Sequence, residues 1–130
     1  MDLITIDFET YYDKEYSLSK LTTEEYIRDY RFQVIGVSVK VNSGEAEWAS
    51  GTHQEIREYL HTYNWGDAMF VAHNTMFDGA IASWVFGISP RIYTDTLCIS
   101  RAVDGVEASG SLKALAERYS LGVKGTEVAN

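Results

Sequence analysis

The stretch LITIDFET, Leu3 to Thr10, constrains the fold more than any other. Ile4, Ile6 and Phe8 alternate with Thr5, Asp7 and Glu9, and a period of two marks a strand with one apolar and one polar face. Asp7 and Glu9 therefore point the same way. Side-by-side carboxylates with no Lys or Arg between them raise each other's pKa. The pair is either solvated on a half-exposed strand or gathered round a cation. A second cluster favours the cation: His73-Asn74-Thr75-Met76-Phe77-Asp78 also follows an apolar run and opens a new element.

The rest of the chain supplies a sheet for these two clusters. Tyr11 to Leu21 is polar and aromatic without a period and reads as a loop. Thr22 and Glu25 have capping-box spacing, which predicts a short helix over Thr23 to Arg28. Phe32 to Val41 is β-branched and alternating, and Asn42-Ser43-Gly44 turns it into Glu45 to Ser50, a β-hairpin. Thr52 and Glu55 form a second capping box ahead of an amphipathic helix from His53 to Thr62, on which His53 and His61 read as exposed. Ala68 to Ala72 reads as a buried strand. Asn74 or Thr75 is expected to cap a helix through Phe77, Ile81, Trp84 and Val85, closed by Gly87.

A strand over Arg91 to Thr94 comes next, then a helix from Thr96 to Val103 capped by Asp95. A loop over Asp104 to Gly110 leads to a helix from Ser111 that ends at Gly122. Three antiparallel strands followed by two strands reached through helix crossovers predict a mixed five-stranded α/β sheet with helices on both faces. Sites in such sheets form at strand ends.

If the strand ending at His73 lies beside the strand ending at Glu9, then Asp7, Glu9 and Asp78 converge. Three carboxylates suit Mg²⁺ or Mn²⁺ better than Zn²⁺, which favours nitrogen and sulfur ligands. The net charge of −8 provides no basic footprint for nucleic acid. It leaves two readings: no nucleic acid is bound, or only a strand end is held through metal ions while a partner domain supplies general affinity. The lone Cys98 excludes an internal disulfide and fits a reducing compartment. No apolar run approaches membrane-spanning length, so the chain reads as cytoplasmic with no membrane partner.

DFET at Asp7 to Thr10 and HNTMFD at His73 to Asp78 resemble the first and second exonuclease motifs of the DEDD superfamily of 3′ to 5′ exonucleases. With DFETYYDKEYSLSK, FVAHNTMFD and LAERYSLGVKG, the whole chain resembles the proofreading domain of phage-type family A DNA polymerases. The resemblance implies a ribonuclease H-like fold and two-metal hydrolysis of the 3′-terminal phosphodiester of single-stranded DNA, with the polymerase domain as partner in cis or in trans. By position, Asp7 would bridge two metals, Glu9 would bind the one that activates water, and Asp78 would hold the second. Thr10 would touch the terminal nucleotide, Asn74 would support the site or the strand, and Phe77 would pack on a frayed base.

The chain departs from the family at the third motif, Tyr-x-x-x-Asp or His-x-x-x-Asp. After Asp78, Tyr93 leads to Leu97 and Tyr119 to Val123. Tyr63 to Asp67 fits the pattern but precedes the second motif, Asp95 is expected to cap a helix, and His73 is expected simply to hydrogen-bond. The resemblance therefore predicts a single exonuclease domain over 1–130 that lacks its final helix. It is expected to hold one metal firmly in place of two and to hydrolyse weakly or not at all alone, with an uncovered sheet face suited to a second copy. Two alternatives stand beside it: a nuclease-fold binding module without catalysis, and a free-standing RNA exonuclease of the same superfamily.

Overall fold

A computed structural model of the chain describes residues 1–99. Five strands form one sheet: β1 (Asp2–Thr10), β2 (Val34–Val41), β3 (Glu47–Ser50), β4 (Ala68–Ala72) and β5 (Ile92–Asp95). Their order is β3-β2-β1-β4-β5. The first three pair antiparallel and the last two join in parallel, as the sequence predicts. The expected helix from Ser111 lies outside the described residues, as does the remainder of the one expected from Thr96, which begins as expected with helical backbone over 96–99.

The alternation in β1 sets the layers. Ile4, Ile6 and Phe8 are buried with Val37 and Val39 of β2 and Phe70 of β4. Burying each such side chain contributes roughly 1.5–3 kcal/mol. Because a slip of one residue would send that set into water and the exposed Asp7 into the core, this burial also fixes the register. Leu3, Met69 and Ile92 lie in register across β1, β4 and β5. Leu3 remains 46% and Ile92 41% exposed, so among the described residues this part of the sheet is open.

Helix α1 (Thr23–Arg28) and helix α2 (His53–Leu60) each begin with the expected reciprocal capping box. The ends differ from expectation for local reasons. Phe32 donates to the Asp29 carbonyl, so the chain is still turning there and β2 starts at Val34. Thr62 and Tyr63 donate to Tyr59 and Leu60, three residues back, which tightens the chain out of α2. Helix α3 (Thr75–Ala80) does not run on as one α-helix, because the next five residues, Ile81–Val85, widen into a π-helix. Gly87, at φ +65, closes the element as expected.

His53 is half-buried, not exposed. Its Nε2 accepts the Val34 amide at 3.0 Å, linking α2 to the start of β2. Burial lowers its pKa, and the nearby Arg57 charge lowers it further. The imidazole must be neutral to accept this bond. Its folded pKa lies below its unfolded value, so its contribution is present above about 6.5 and is lost as pH falls from there towards the folded pKa. His53→Gln, which keeps an acceptor without a titration, is expected to flatten the loss of stability between about pH 7 and 5. Urea melts at several pH values check this, and an unchanged slope would remove His53 as its source.

Candidate active site

Parallel pairing of β1 with β4 brings the two acidic clusters together. Thr5 lies opposite Val71, so the carboxyl ends of both strands leave the sheet side by side. A register shift between Glu9 and Thr10 marks a bulge at the end of β1, a feature that re-aims the side chains beyond it. Helix α3 rises from the end of β4 and carries Asp78 back against β1. There its Oδ1 accepts the Phe8 amide at 3.1 Å, between Asp7 and Glu9 in sequence.

Asp78 is 5% exposed and Glu9 7%, the two buried charged residues among those described, whereas Asp7 is exposed. Burial pushes the Asp78 carboxyl up to about 8. The Phe8 amide pulls it down, while the negative charges of Asp7, Glu9 and Asp95 push it up again. The electrostatics at this point thus disfavour a further negative charge and favour a cation.

The donor set, oxygen only and acidic, fits a hard divalent ion. Its spacing is not ready-made: among the described residues, no three His, Cys, Asp or Glu side chains already stand as a metal cluster.

Asp7, Thr10, Asn74, Phe77 and Asp78 line a cavity of about 840 Å³; Glu9 lies outside this lining. Thr10 Oγ1 is 2.8 Å from the Tyr26 hydroxyl, and the Phe77 ring lies 5.8 Å from that of Tyr26. Asn74 is exposed, in the left-handed region at φ +70, and makes no side-chain capping bond. Thr75 does not cap either; its hydroxyl donates to the Thr94 carbonyl.

The cap of α3 comes from Asp95 at the end of β5, whose carboxylate accepts the amides of Asn74 and Thr75 at 2.9 and 3.0 Å. It also accepts the Leu97 amide, the expected cap of the next helix. Burial raises the Asp95 pKa, but these three amides and Cys98 outweigh that effect and hold it below its ordinary value. Asp95 is thus committed to two helix starts. His73 hydrogen-bonds Thr96 at 3.0 Å, in keeping with its expected structural part. Asp67 sits before β4, at the opposite end of that strand, beside Arg91.

Residues that the sequence reading passed over complete the wall. Tyr12, Ser17 and Leu18, from the stretch without a period, line the cavity. That stretch is ordered by Asp13, whose carboxylate accepts the Glu15 and Tyr16 amides. Tyr16, fully buried, stacks on Tyr26 at 4.4 Å. An Asp two and three residues before such a pair, beside several tyrosines, was the available signal.

The sheet order and the helices define a ribonuclease H-like α/β fold of the kind found in nucleases. Brucella melitensis NrnC bound to pGG matches it with a TM-score of 0.67 at 17% identity, over 95% of this chain and 54% of that one. A nuclease in its apo form gives 0.66 at 20% identity, over 96% and 55%. Brucella melitensis NrnC with bound Mg²⁺ gives 0.65 at 16% identity, over 96% and 56%. The chain spans little more than half the length of these structures, and at such identities the likeness shows the fold alone. No family model matches the sequence, nor does any curated protein.

Mn²⁺ is expected to raise the thermal midpoint by roughly 5–10 °C at saturation. Asp78→Asn keeps an acceptor for the Phe8 amide and should lose most of that shift. Scanning fluorimetry with and without Mn²⁺ measures both, and equal shifts in the two proteins would exclude Asp78 as a ligand.

Proposed function

We propose that this chain is a metal-dependent 3′ to 5′ exonuclease domain acting on the end of a single nucleic-acid strand. The observation that carries the reading is the Asp78 carboxyl, buried against the Phe8 amide beside Asp7 and Glu9 at the edge of a cavity able to admit a nucleotide. Asp7, Glu9 and Asp78 would hold Mg²⁺ or Mn²⁺. Divalent ions supply an activated water and neutralise the leaving 3′ oxygen.

The chain's own groups orient the strand. Phe77, exposed to the cavity and backed by Tyr26, offers a face to a base. Thr10, at the bulge and lining the cavity, would meet the terminal sugar. The −8 charge is consistent with holding a strand end through cations while a partner supplies general affinity. Single-stranded DNA is the proposed substrate. One of the neighbours named above is a nuclease, and a link to a polymerase domain rests on the sequence resemblance alone.

Strands of DNA and RNA labelled at the 5′ end, incubated with Mn²⁺, test this directly. The expected result is slow shortening from the 3′ end, in keeping with the missing third motif, faster on DNA than on RNA, and reduced at least about a hundredfold, or roughly 2.7 kcal/mol of barrier, by Asp7→Ala. Faster trimming of RNA would move the reading to an RNA exonuclease. Strand binding without trimming, unaffected by Asp7→Ala, would move it to a binding module.

A further inference from the structure

The hydrogen bonds around Tyr26 fix which way the Thr10 hydroxyl is polarised. Tyr26 lies on α1 and lines the cavity, its ring stacked on Tyr16 and tilted against Phe77. Its hydroxyl meets two oxygens: the carbonyl of Tyr11, in a very close contact, and Thr10 Oγ1 at 2.8 Å. A phenol has one proton, and a carbonyl oxygen only accepts. Burial raises the Tyr26 pKa, which keeps that proton on the phenol. The proton therefore goes to the Tyr11 carbonyl, and the bond between the two hydroxyls is left with one polarity, Thr10 donating and Tyr26 accepting.

From this arrangement, and resting on the exonuclease reading above, we infer that Tyr26 is a positioning residue that turns Thr10 into an obligate acceptor, so that the cavity selects a strand end bearing a hydroxyl donor. With its own proton committed to Tyr26, Thr10 Oγ1 has only lone pairs to offer the cavity. A terminal sugar hydroxyl can donate to them; an end of the same size without a proton cannot. Tyr16 holds the device in place, since its hydroxyl donates to the Tyr26 carbonyl at 2.6 Å and Arg31 covers its ring at 4.7 Å.

The test is binding of short single-stranded DNA ending in a 3′-hydroxyl or a 3′-fluoro group, followed by fluorescence anisotropy with Ca²⁺ in place of Mg²⁺ or Mn²⁺ and a phosphorothioate at the terminal linkage, so that the carboxylates are neutralised while hydrolysis is suppressed. The wild-type chain is expected to prefer the hydroxyl end about tenfold, the scale of one hydrogen bond. Tyr26→Phe keeps the stacked ring but releases the Thr10 proton, and should narrow the preference to within about threefold. Thr10→Val removes the acceptor by a route that leaves the tyrosine intact and should narrow it equally, with no further change in the double variant.

A Tyr26→Phe protein that binds both ends more weakly by the same factor, or keeps the wild-type ratio, would make Tyr26 a structural staple and overturn the inference. A wild-type chain that binds both ends equally overturns it while leaving the exonuclease reading intact. One that binds neither end overturns both.

Discussion

The contact between the Asp78 carboxyl and the Phe8 amide holds the site together. A β-strand amide that does not point at a neighbouring strand is an orphan donor, and a buried carboxyl without a partner costs several kcal/mol. Each group solves the other's problem, and the solution ties α3 to the end of β1. The tie works only because β1 and β4 are parallel, which places the start of α3 beside the end of β1. Asp95 then anchors the first amides of α3 from the next strand. Three consecutive pieces of chemistry, a strand end, a helix cap and a buried acid, are thus fixed by one sheet order.

That arrangement leaves negative charge concentrated in a protein already acidic overall. Asp7 and Glu9 stand beside Asp78, and Asp95 adds to the same field. A protein built only for stability would place a basic or apolar group here. The Phe8 amide offsets only part of the burial, and the Asp78 pKa of about 8 records the imbalance. A divalent ion would reverse it, and on the proposed function the cost of the cluster in the free chain would return as affinity for the ion.

Much of this was legible in the sequence where the cause is local. The alternation of Ile4, Ile6 and Phe8 gave the strand, although Glu9 is buried where Asp7 is exposed, and the pairs Thr22/Glu25 and Thr52/Glu55 marked two helix starts to the residue. Features set by partners far along the chain were hidden. Asp95 caps α3 from twenty residues downstream, where spacing pointed to Asn74 or Thr75. His53 looked like a solvated first-turn residue because nothing in its neighbourhood shows that Val34 needs an acceptor. The Tyr26 hydroxyl sits on α1 yet acts at Thr10, through a fold of the chain that no periodicity encodes. The order of 11–21 rests on an Asp side chain and stacked rings rather than on a repeating pattern.

Asp7, Glu9 and Asp78 are proposed to close on a divalent cation. Anomalous scattering from Mn²⁺ soaked into crystals of the chain tests it most directly. A peak within about 2.2 Å of carboxylate oxygens from Asp7 and Asp78, with Glu9 directed at the same ion or a second one nearby, is the predicted result. Full density for the side chains with no peak between them, or Mn²⁺ bound only at other acidic residues, would contradict it and leave the Asp78 contact as a purely structural feature of the fold.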